Sequence, residues 1–198
     1  MRFQYILFYK PFQILSQFTD IDDKKGLAHY FPEVSKDIYP VGRLDFDSEG
    51  LLLLTNDTKF QHKLLEPKHQ NAKTYAAQVE GNVTDAALQQ LEKGVEISLK
   101  KRKHFTAPAK ALRLENPIFP DRNPPIRYRA DIPTSWISLS ISEGKNRQVR
   151  KMTAKVGLPT LRLIRTHIGD LSLEGLQPGE YKHLAQNEAQ KAMRRLKF

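Results

Sequence analysis

The sequence predicts an α+β fold in which helices flank a mixed, largely antiparallel sheet. Ile137, Leu139 and Ile141 alternate with serines, which is the period of two expected of a strand with one buried face. Helical patterns occur at 84–94 and from Arg147 to about Gly157. Because strand and helix patterns do not alternate strictly, a purely parallel sheet is disfavoured.

The N-terminal part of the chain predicts strands on either side of an acidic turn. Apolar residues dominate 3–9 and 12–18, and the Lys10-Pro11 step between them predicts two extended segments interrupted at proline. The turn spans 42–50. The apolar run that follows, 51–55, has the length typical of a buried strand.

Two helices are predicted from their capping residues. Asn56-Asp57-Thr58 offers N-cap chemistry for a short helix through Leu65, stopped by Pro67. A clearer helix has Thr84 as its N-cap and Gly94 as its stop. Strands are expected beside it, at 75–80 and near 95–99.

A proline-rich loop precedes the last predicted strand and helices. Residues 116–135 hold five of the twelve prolines and three arginines, Arg122, Arg127 and Arg129. A loop of about 20 residues without regular structure is uncommon inside a domain and more often marks a binding loop. On the helix that begins at Arg147, Arg150 lies off the apolar stripe. A last helix is expected over 187–196.

The positive charge is concentrated in one segment. The chain has 32 basic and 22 acidic residues, a net of +10, and residues 100–165 contain 16 of the basic but only 4 of the acidic ones. That segment carries the whole surplus. With no amphipathic membrane helix evident, the concentration favours nucleic acid as the partner. The alternative is a basic surface that serves only solubility.

Length and composition indicate one globular domain over 1–198, or one domain divided into two lobes, with 39% apolar residues. No apolar run approaches the roughly 20 residues of a membrane span, and no signal peptide is evident, so a cytoplasmic location is expected. The absence of cysteine excludes disulfides and thiolate chemistry.

The turn at 42–50 carries three carboxylates at alternate positions, Asp45, Asp47 and Glu49, and then a glycine. This resembles the start of a calcium loop, but its twelfth position from Asp45 is Asn56 in place of a bidentate Glu. A calcium site is therefore disfavoured, and no histidine spacing suggests another metal. The alternative is an acidic turn that is simply solvated, in which Arg43 has no particular role. Against it, residues two apart in an extended stretch point the same way, so Arg43 and Asp45 can face one pocket.

Three separated stretches together resemble the pseudouridine synthases, in the branch typified by the small-ribosomal-subunit enzyme. Val41-Gly42-Arg43-Leu44-Asp45, followed by 48–57, resembles the GRLD motif of that family, and Lys73-Thr74-Tyr75 resembles its second motif. Residues 143–152, EGKNRQVRKM, resemble the third. Within the branch, 123–127 and 132–136 are similar to a large-subunit enzyme.

The resemblance implies the catalytic fold of that family, with a central cleft, and the isomerisation of uridine to pseudouridine in ribosomal RNA, specifically the 23S RNA of the large subunit. Many relatives begin with a small S4 RNA-binding domain. The first motif here arrives by Asp45, so no S4 domain is expected, and the catalytic domain must recognise RNA with its own surface. A monomer is expected, with no cofactor, no metal and no obligate protein partner.

By resemblance, Asp45 is the nucleophile that engages C1′ of the ribose, by covalent addition or through a glycal intermediate; the sequence does not choose between these routes. A carboxylate in a closed pocket needs a fixed guanidinium to stay ionised, and Arg150 matches the family position that pairs with the aspartate. Tyr75 matches the tyrosine whose ring stacks on the uracil and whose hydroxyl is a candidate base in the glycal route.

Five basic residues are assigned to RNA contact. Arg43 is placed by resemblance to fill the space that the flipped uridine leaves or to hold the flipped strand. Phosphate contacts are assigned to the other four, Lys145, Arg147, Arg127 and Arg165. The competing hypothesis is a non-catalytic RNA-binding or ribosome-assembly factor on the same fold, in which Asp45 would have no chemical role.

Overall fold

The computed structural model describes residues 3–66, 71–100, 102–127 and 129–195. The chain forms two compact units, which are Met1–Asn71 with Arg165–Phe198 (unit 1) and Ala72–Ile164 (unit 2). Strands and helices are both present in each unit, so the predicted α+β class is confirmed. No helix within the described ranges is long and apolar enough to cross a membrane.

The elements follow one another along the chain without strict alternation. They are β1 (Tyr5–Lys10), a 3-10 turn (Leu27–His29), β2 (Tyr39–Pro40), β3 (Glu49–Thr55), α1 (Thr58–Leu65), β4 (Lys73–Glu80), α2 (Asp85–Lys93), β5 (Glu96–Leu99), β6 (Arg102–Phe105), β7 (Lys110–Leu114), β8 (Thr134–Ile141), α3 (Gln148–Lys155), β9 (Thr160–Ile168), β10 (Leu171–Ser172), β11 (Tyr181–His183) and α4 (Gln186–Arg195).

Unit 1 is built on the strand order β11-β1-β3-β9, with β2 paired to β3 and β10 paired to β9. Strand β1 pairs antiparallel with both neighbours, so that Phe8 lies opposite Leu52 on one side and Tyr181 on the other. Every residue of β1 and β3 is buried, which explains why both read as continuous apolar runs. The ring centroid of Phe31 lies 5.0 Å from that of Phe8 and helps to close one face.

Unit 2 has the order β9-β4-β8-β7, and strand β9 has residues in both units. Strand β8 pairs antiparallel with β4 and β7, and β5 with β6 forms a separate two-stranded sheet. The predicted alternation along β8 is confirmed, because Ile137, Leu139 and Ile141 are buried while the serines between them are partly exposed. Helix α2 contacts β7, and α3 contacts β5.

The predicted capped helices are confirmed. Asp57 Oδ1 accepts from Phe60 N (3.0 Å) at the start of α1, and Thr84 Oγ1 accepts from Ala87 N (3.2 Å) at the start of α2. Helices α3 and α4 also form where they were predicted, within a residue or two. The predicted stop of α1 at Pro67 and the predicted end of α4 at Leu196 lie outside the described residues.

The prediction that residues 12–18 form a second extended segment is wrong. These residues form turns and bends, and Gln13 has φ +58°, which a strand does not allow. The predicted loop at 116–135 is confirmed as far as Pro133 among the residues described there, and β8 begins at Thr134.

Candidate active site

The acidic turn that carries Asp45 is tied to the loop after β1. Ser16 Oγ donates to Leu44 O (2.9 Å) and accepts from Leu44 N (3.0 Å). Gln13 N donates to Phe46 O (2.9 Å). The backbone on both sides of Asp45 is therefore fixed, while the Asp45 side chain is half-buried. This anchoring explains why the loop after β1 leaves the extended conformation that its apolar residues predicted.

Two cations of unit 1 are buried beneath the protein surface. Lys10 has no exposed surface, and its Nζ donates to Pro11 O and Ile14 O, both at 2.8 Å. Arg165 is 3% exposed, and its Nε donates to Leu51 O (2.7 Å). Within the part of the chain that the structure describes, Arg165 Nη2 is buried and makes no hydrogen bond.

The burial of Arg165 is at odds with its predicted phosphate contact. A phosphate would have to enter the core of unit 1 to reach this guanidinium, since almost none of it is exposed. Desolvating a phosphate and an arginine together costs several kcal/mol per ion, by order of magnitude, unless every polar atom finds a partner. In this structure Arg165 is a buried charge, and its predicted phosphate contact stays a prediction that its burial disfavours.

The two cations and the carboxylates of the turn form a charged cluster, defined as Lys10, Asp45, Asp47, Glu49 and Arg165. Burial lowers the pKa of the Lys10 ammonium to about 7. Glu49 and Asp47 oppose this shift, Arg165 adds to it, and Asp45 opposes it more weakly.

Lys10 is a functional candidate that the sequence prediction missed. The Lys10-Pro11 step indicated only the end of an extended segment at proline. The signal that points to it is its place at the end of a strand whose other residues are apolar. Lysines are almost never fully buried unless they are paired. The complete burial of Lys10 therefore indicates that its ammonium makes specific interactions.

Replacing Lys10 with methionine should change how stability depends on pH. The folded protein holds the Lys10 proton less tightly than the unfolded chain, since burial lowers the pKa from 10.5 to about 7. Between these pH values the free energy of unfolding of the wild type rises with pH, and Lys10→Met lacks this rise. We expect the difference between the two proteins to grow by on the order of 2 kcal/mol from pH 7 to pH 9.5, measured by urea unfolding.

Lys25→Met is the matched control for this experiment, because Lys25 is exposed in the same unit. Its stability curve should run parallel to that of the wild type across the same pH range. A parallel curve for Lys10→Met as well would show that Lys10 is not the titrating group.

Tyr75 of unit 2 lies on β4, opposite Leu139 of β8, and is 9% exposed. Beside it, the hydroxyl oxygens of Thr74 and Ser140 lie 2.8 Å apart in a hydrogen bond that joins the two strands. Tyr75 is therefore held on a rigid sheet with only a small part of its surface accessible. Its predicted contact with the uracil ring stays a prediction.

The third motif forms the loop and first turn of α3. Arg147 is the N-cap residue of this helix, in the left-handed conformation with φ +51°, and both Lys145 and Arg147 are exposed. Arg150 is half-buried and its Nη1 donates to Thr160 O (3.3 Å), so the guanidinium is held against the start of β9. The exposed pair can meet a phosphate, whereas Arg150 has a fixed position.

Arg127 lies in the proline-rich loop and is engaged by an acidic residue. Its Nη2 is 3.2 Å from Glu80 Oε1, and Arg129 Nη1 is 3.3 Å from the same oxygen. Any phosphate contact of Arg127 must therefore compete with Glu80. Arg43, in unit 1, is an exposed residue of the acidic turn itself.

The predicted site residues divide between the two units. Unit 1 contains Asp45, Arg43 and Arg165, and unit 2 contains Tyr75, Arg127, Lys145, Arg147 and Arg150. Within unit 1, Asp45 and Arg165 belong to the same charged cluster. The predicted pairing of Asp45 with Arg150 joins residues of different units and stays a prediction.

The acidic turn does not form the loop of a calcium site, since β3 begins at Glu49 and all of its residues to Thr55 are buried. Among the residues that the structure describes, no group of three or more His, Asp or Glu side chains is arranged to hold a metal ion.

The family model described as RNA pseudouridylate synthase matches residues 4–155, and the chain belongs to this family. A solved structure titled "Crystal structure of pseudouridylate synthase" superimposes with a TM-score of 0.78 at 31% identity, covering 96% of this chain and 74% of that one. The resemblance seen in the three motifs and the predicted catalytic fold are thereby confirmed.

Among curated relatives, the chain is similar to Ribosomal large subunit pseudouridine synthase E from two bacteria. The protein of Vibrio parahaemolyticus serotype O3:K6 is 51% identical over 179 residues, which is 90% of this chain and 73% of the relative. That of Xanthomonas campestris pv. campestris is 47% identical over 180 residues, 89% of this chain and 93% of the relative. Ribosomal large subunit pseudouridine synthase B of Bacillus subtilis is 38% identical over 187 residues, 94% of this chain and 70% of the relative.

Proposed function

We propose that the protein isomerises a specific uridine to pseudouridine in the 23S ribosomal RNA of the large subunit. The observation that carries this proposal is Asp45, fixed by its neighbours' backbone bonds and set in a charged cluster, within a chain of the pseudouridylate synthase family. The names of the bacterial relatives support the large subunit as the source of the RNA.

The reaction is an isomerisation, in which the bond from N1 of uracil to C1′ breaks and a bond from C5 to C1′ forms. The base turns in place, C5 loses its proton, and N1 gains one, so neither a redox cofactor nor a phosphoryl donor is needed. Asp45 engages C1′ as the nucleophile. Tyr75 contacts the uracil, and Arg150 supplies positive charge to the reacting groups.

Two buried cations suit this role for Asp45. Closing a pocket over a base removes water, which by itself raises the pKa of a carboxyl and weakens it as a nucleophile. Arg165 is already desolvated in the folded unit and stays charged, so its charge remains effective when the substrate excludes solvent, whereas Lys10, with a pKa of about 7, is fully charged only below neutral pH. Unit 1 thus contributes positive charge toward Asp45 in addition to the charge proposed for Arg150.

RNA contacts are proposed for the exposed basic residues. Arg43 lies two residues before the nucleophile, and Lys145 and Arg147 stand in an exposed loop, so each can reach a phosphate or an everted strand. Arg127 joins them only where RNA displaces it from Glu80.

We further propose that the two units form one catalytic domain and that the protein acts as a monomer. We also propose that it needs no cofactor and works in the cytoplasm, where bacterial ribosomes assemble.

The proposed function is tested by incubating the purified protein with 23S RNA from a strain that lacks the enzyme, followed by chemical mapping of pseudouridine. One new pseudouridine is expected. RNA binding without any new pseudouridine would favour the non-catalytic RNA-binding or assembly factor instead.

A further inference from the structure

The hairpin of β5 and β6 has one buried face and one exposed face. Directly opposed residues point to the same side, so Ile97 and His104 share one face while Ser98 and Lys103 share the other. Ile97 is 3% exposed, whereas Phe105, which lies on the same face as Lys103, is 66% exposed. The outer face of the hairpin therefore presents a large aromatic ring to solvent.

One exposed basic residue shares the face of this ring, and two more lie at the turn of the hairpin. The Lys103 side chain is 80% exposed on the face of Phe105, whereas Lys100 and Arg102 are exposed at the turn, Arg102 on the other face opposite Leu99. Glu96 lies directly opposite Phe105 on the same face, and its Oε1 is 3.1 Å from Lys103 Nζ. A surface ion pair of this kind contributes little, so a phosphate can replace the carboxylate at small cost.

The buried face of the hairpin is hydrogen-bonded to the loop that precedes α3. Glu143 Oε1 lies 2.9 Å from His104 Nε2, and Glu143 Oε2 accepts from Ala107 N (3.0 Å) and from Gln148 Nε2 (2.8 Å). Gln148 Oε1 in turn accepts from Lys145 N (3.0 Å). One carboxylate thus holds the hairpin and the loop of Lys145 in a fixed relation.

From this arrangement we infer that the outer face of the β5–β6 hairpin binds single-stranded RNA, with a base stacked on Phe105 and a phosphate on Lys103. Exposed aromatic rings beside cations are the usual means of binding unpaired nucleotides, because every base offers a face for stacking. Lys103 can bind a phosphate in place of Glu96, the turn adds the exposed Lys100 and Arg102, and the link through Glu143 joins the hairpin to the loop proposed to contact phosphate. The inference rests on the proposed function, since it takes RNA as the substrate.

The test compares variants in their affinity for a fluorescent short oligouridylate, measured by anisotropy. Phe105→Ala should weaken binding by about 5- to 100-fold, which is the loss expected for one stacked base, and Phe105→Tyr should restore it. Lys103→Gln should instead lower the dependence of affinity on salt by about one counterion. Phe105→Ala should leave that salt dependence unchanged.

Ile21→Ala is the matched control, because Ile21 is also an exposed apolar residue, at 46%, but lies among acidic residues in unit 1. It should bind the oligouridylate as the wild type does. The thermal midpoint of each variant shows whether it is folded, and Phe105→Tyr keeps the comparison valid if Phe105→Ala is not.

The outcomes separate this inference from the proposed function. If the wild type forms pseudouridine in 23S RNA but Phe105→Ala binds oligouridylate as tightly as the wild type, the hairpin is not the RNA-binding surface and the function stands. An equal loss of affinity in Phe105→Tyr and Phe105→Ala would also overturn the inference. If binding depends on Phe105 but the wild type forms no pseudouridine, the proposed catalysis fails and the binding surface stands.

Discussion

Asp45→Asn is expected to lower pseudouridine formation by roughly 1,000-fold or more, because an amide has no anionic oxygen with which to engage C1′. The substitution preserves the size of the side chain, and the backbone on either side of it is held by Ser16 and Gln13. Folding and RNA affinity should therefore change little. The measurement is single-turnover conversion on 23S RNA, with affinity for the same RNA determined in parallel.

Asp47→Asn is the companion variant, since it makes the same chemical change two residues further along the same turn. It removes one charge that acts on Lys10, so we expect an effect below about tenfold. Equal losses in the two variants would mean that the charge of the turn matters and that no single carboxylate is the nucleophile. Undiminished conversion by Asp45→Asn would refute the catalytic assignment.

Gly50→Ala is expected to lower the free energy of unfolding by roughly 3 to 5 kcal/mol, or to prevent folding. Gly50 has φ +104°, and an added Cβ would lie 2.3 Å from Arg165 O and 2.6 Å from Arg165 N. Backbone atoms of paired strands cannot move aside cheaply. Relief would require β3 and β9 to separate beside the acidic turn, so activity should fall with stability.

Gly175→Ala separates the cost of the positive φ from the cost of the steric contact with the Arg165 backbone. Gly175 lies in the same unit with φ +77°, but an added Cβ would meet nothing within 4 Å. It should therefore cost only the backbone strain, about 1 kcal/mol. Chemical denaturation of both variants measures the difference, and similar losses would contradict a steric role for the Arg165 backbone.

Local chemistry in the sequence was enough to predict the elements that depend on nearby residues. Thr84 caps α2 as predicted, Asp57 caps α1 as one of the three candidates offered by 56–58, and the alternation of Ile137, Leu139 and Ile141 identifies β8. Each of these signals lies within a few residues of the structure that it specifies. The motif around Asp45 was recognised in the same way, as a short pattern.

The failures concern interactions between distant parts of the chain. Residues 12–18 are apolar, but Gln13 is drawn out of the extended conformation by its bond to Phe46, which no local pattern reveals. Strand β9 was missed because Arg162 and Arg165 interrupt its apolar residues, although both are buried. Because arginines are rarely buried, a segment that contains them is predicted to lie at the protein surface.

Glu143 makes the attachment of the β5–β6 hairpin sensitive to acid. Burial raises the pKa of its carboxyl, but the hydrogen bonds from Ala107, Gln148 and His104 outweigh burial and lower it below the ordinary value. These contacts therefore stabilise the fold fully above the ordinary carboxyl pKa, and the stabilisation is lost as the pH falls through the lowered value. Protonating this single side chain thus weakens the hydrogen bonds between the hairpin and the loop before α3, while β5 remains packed against α3.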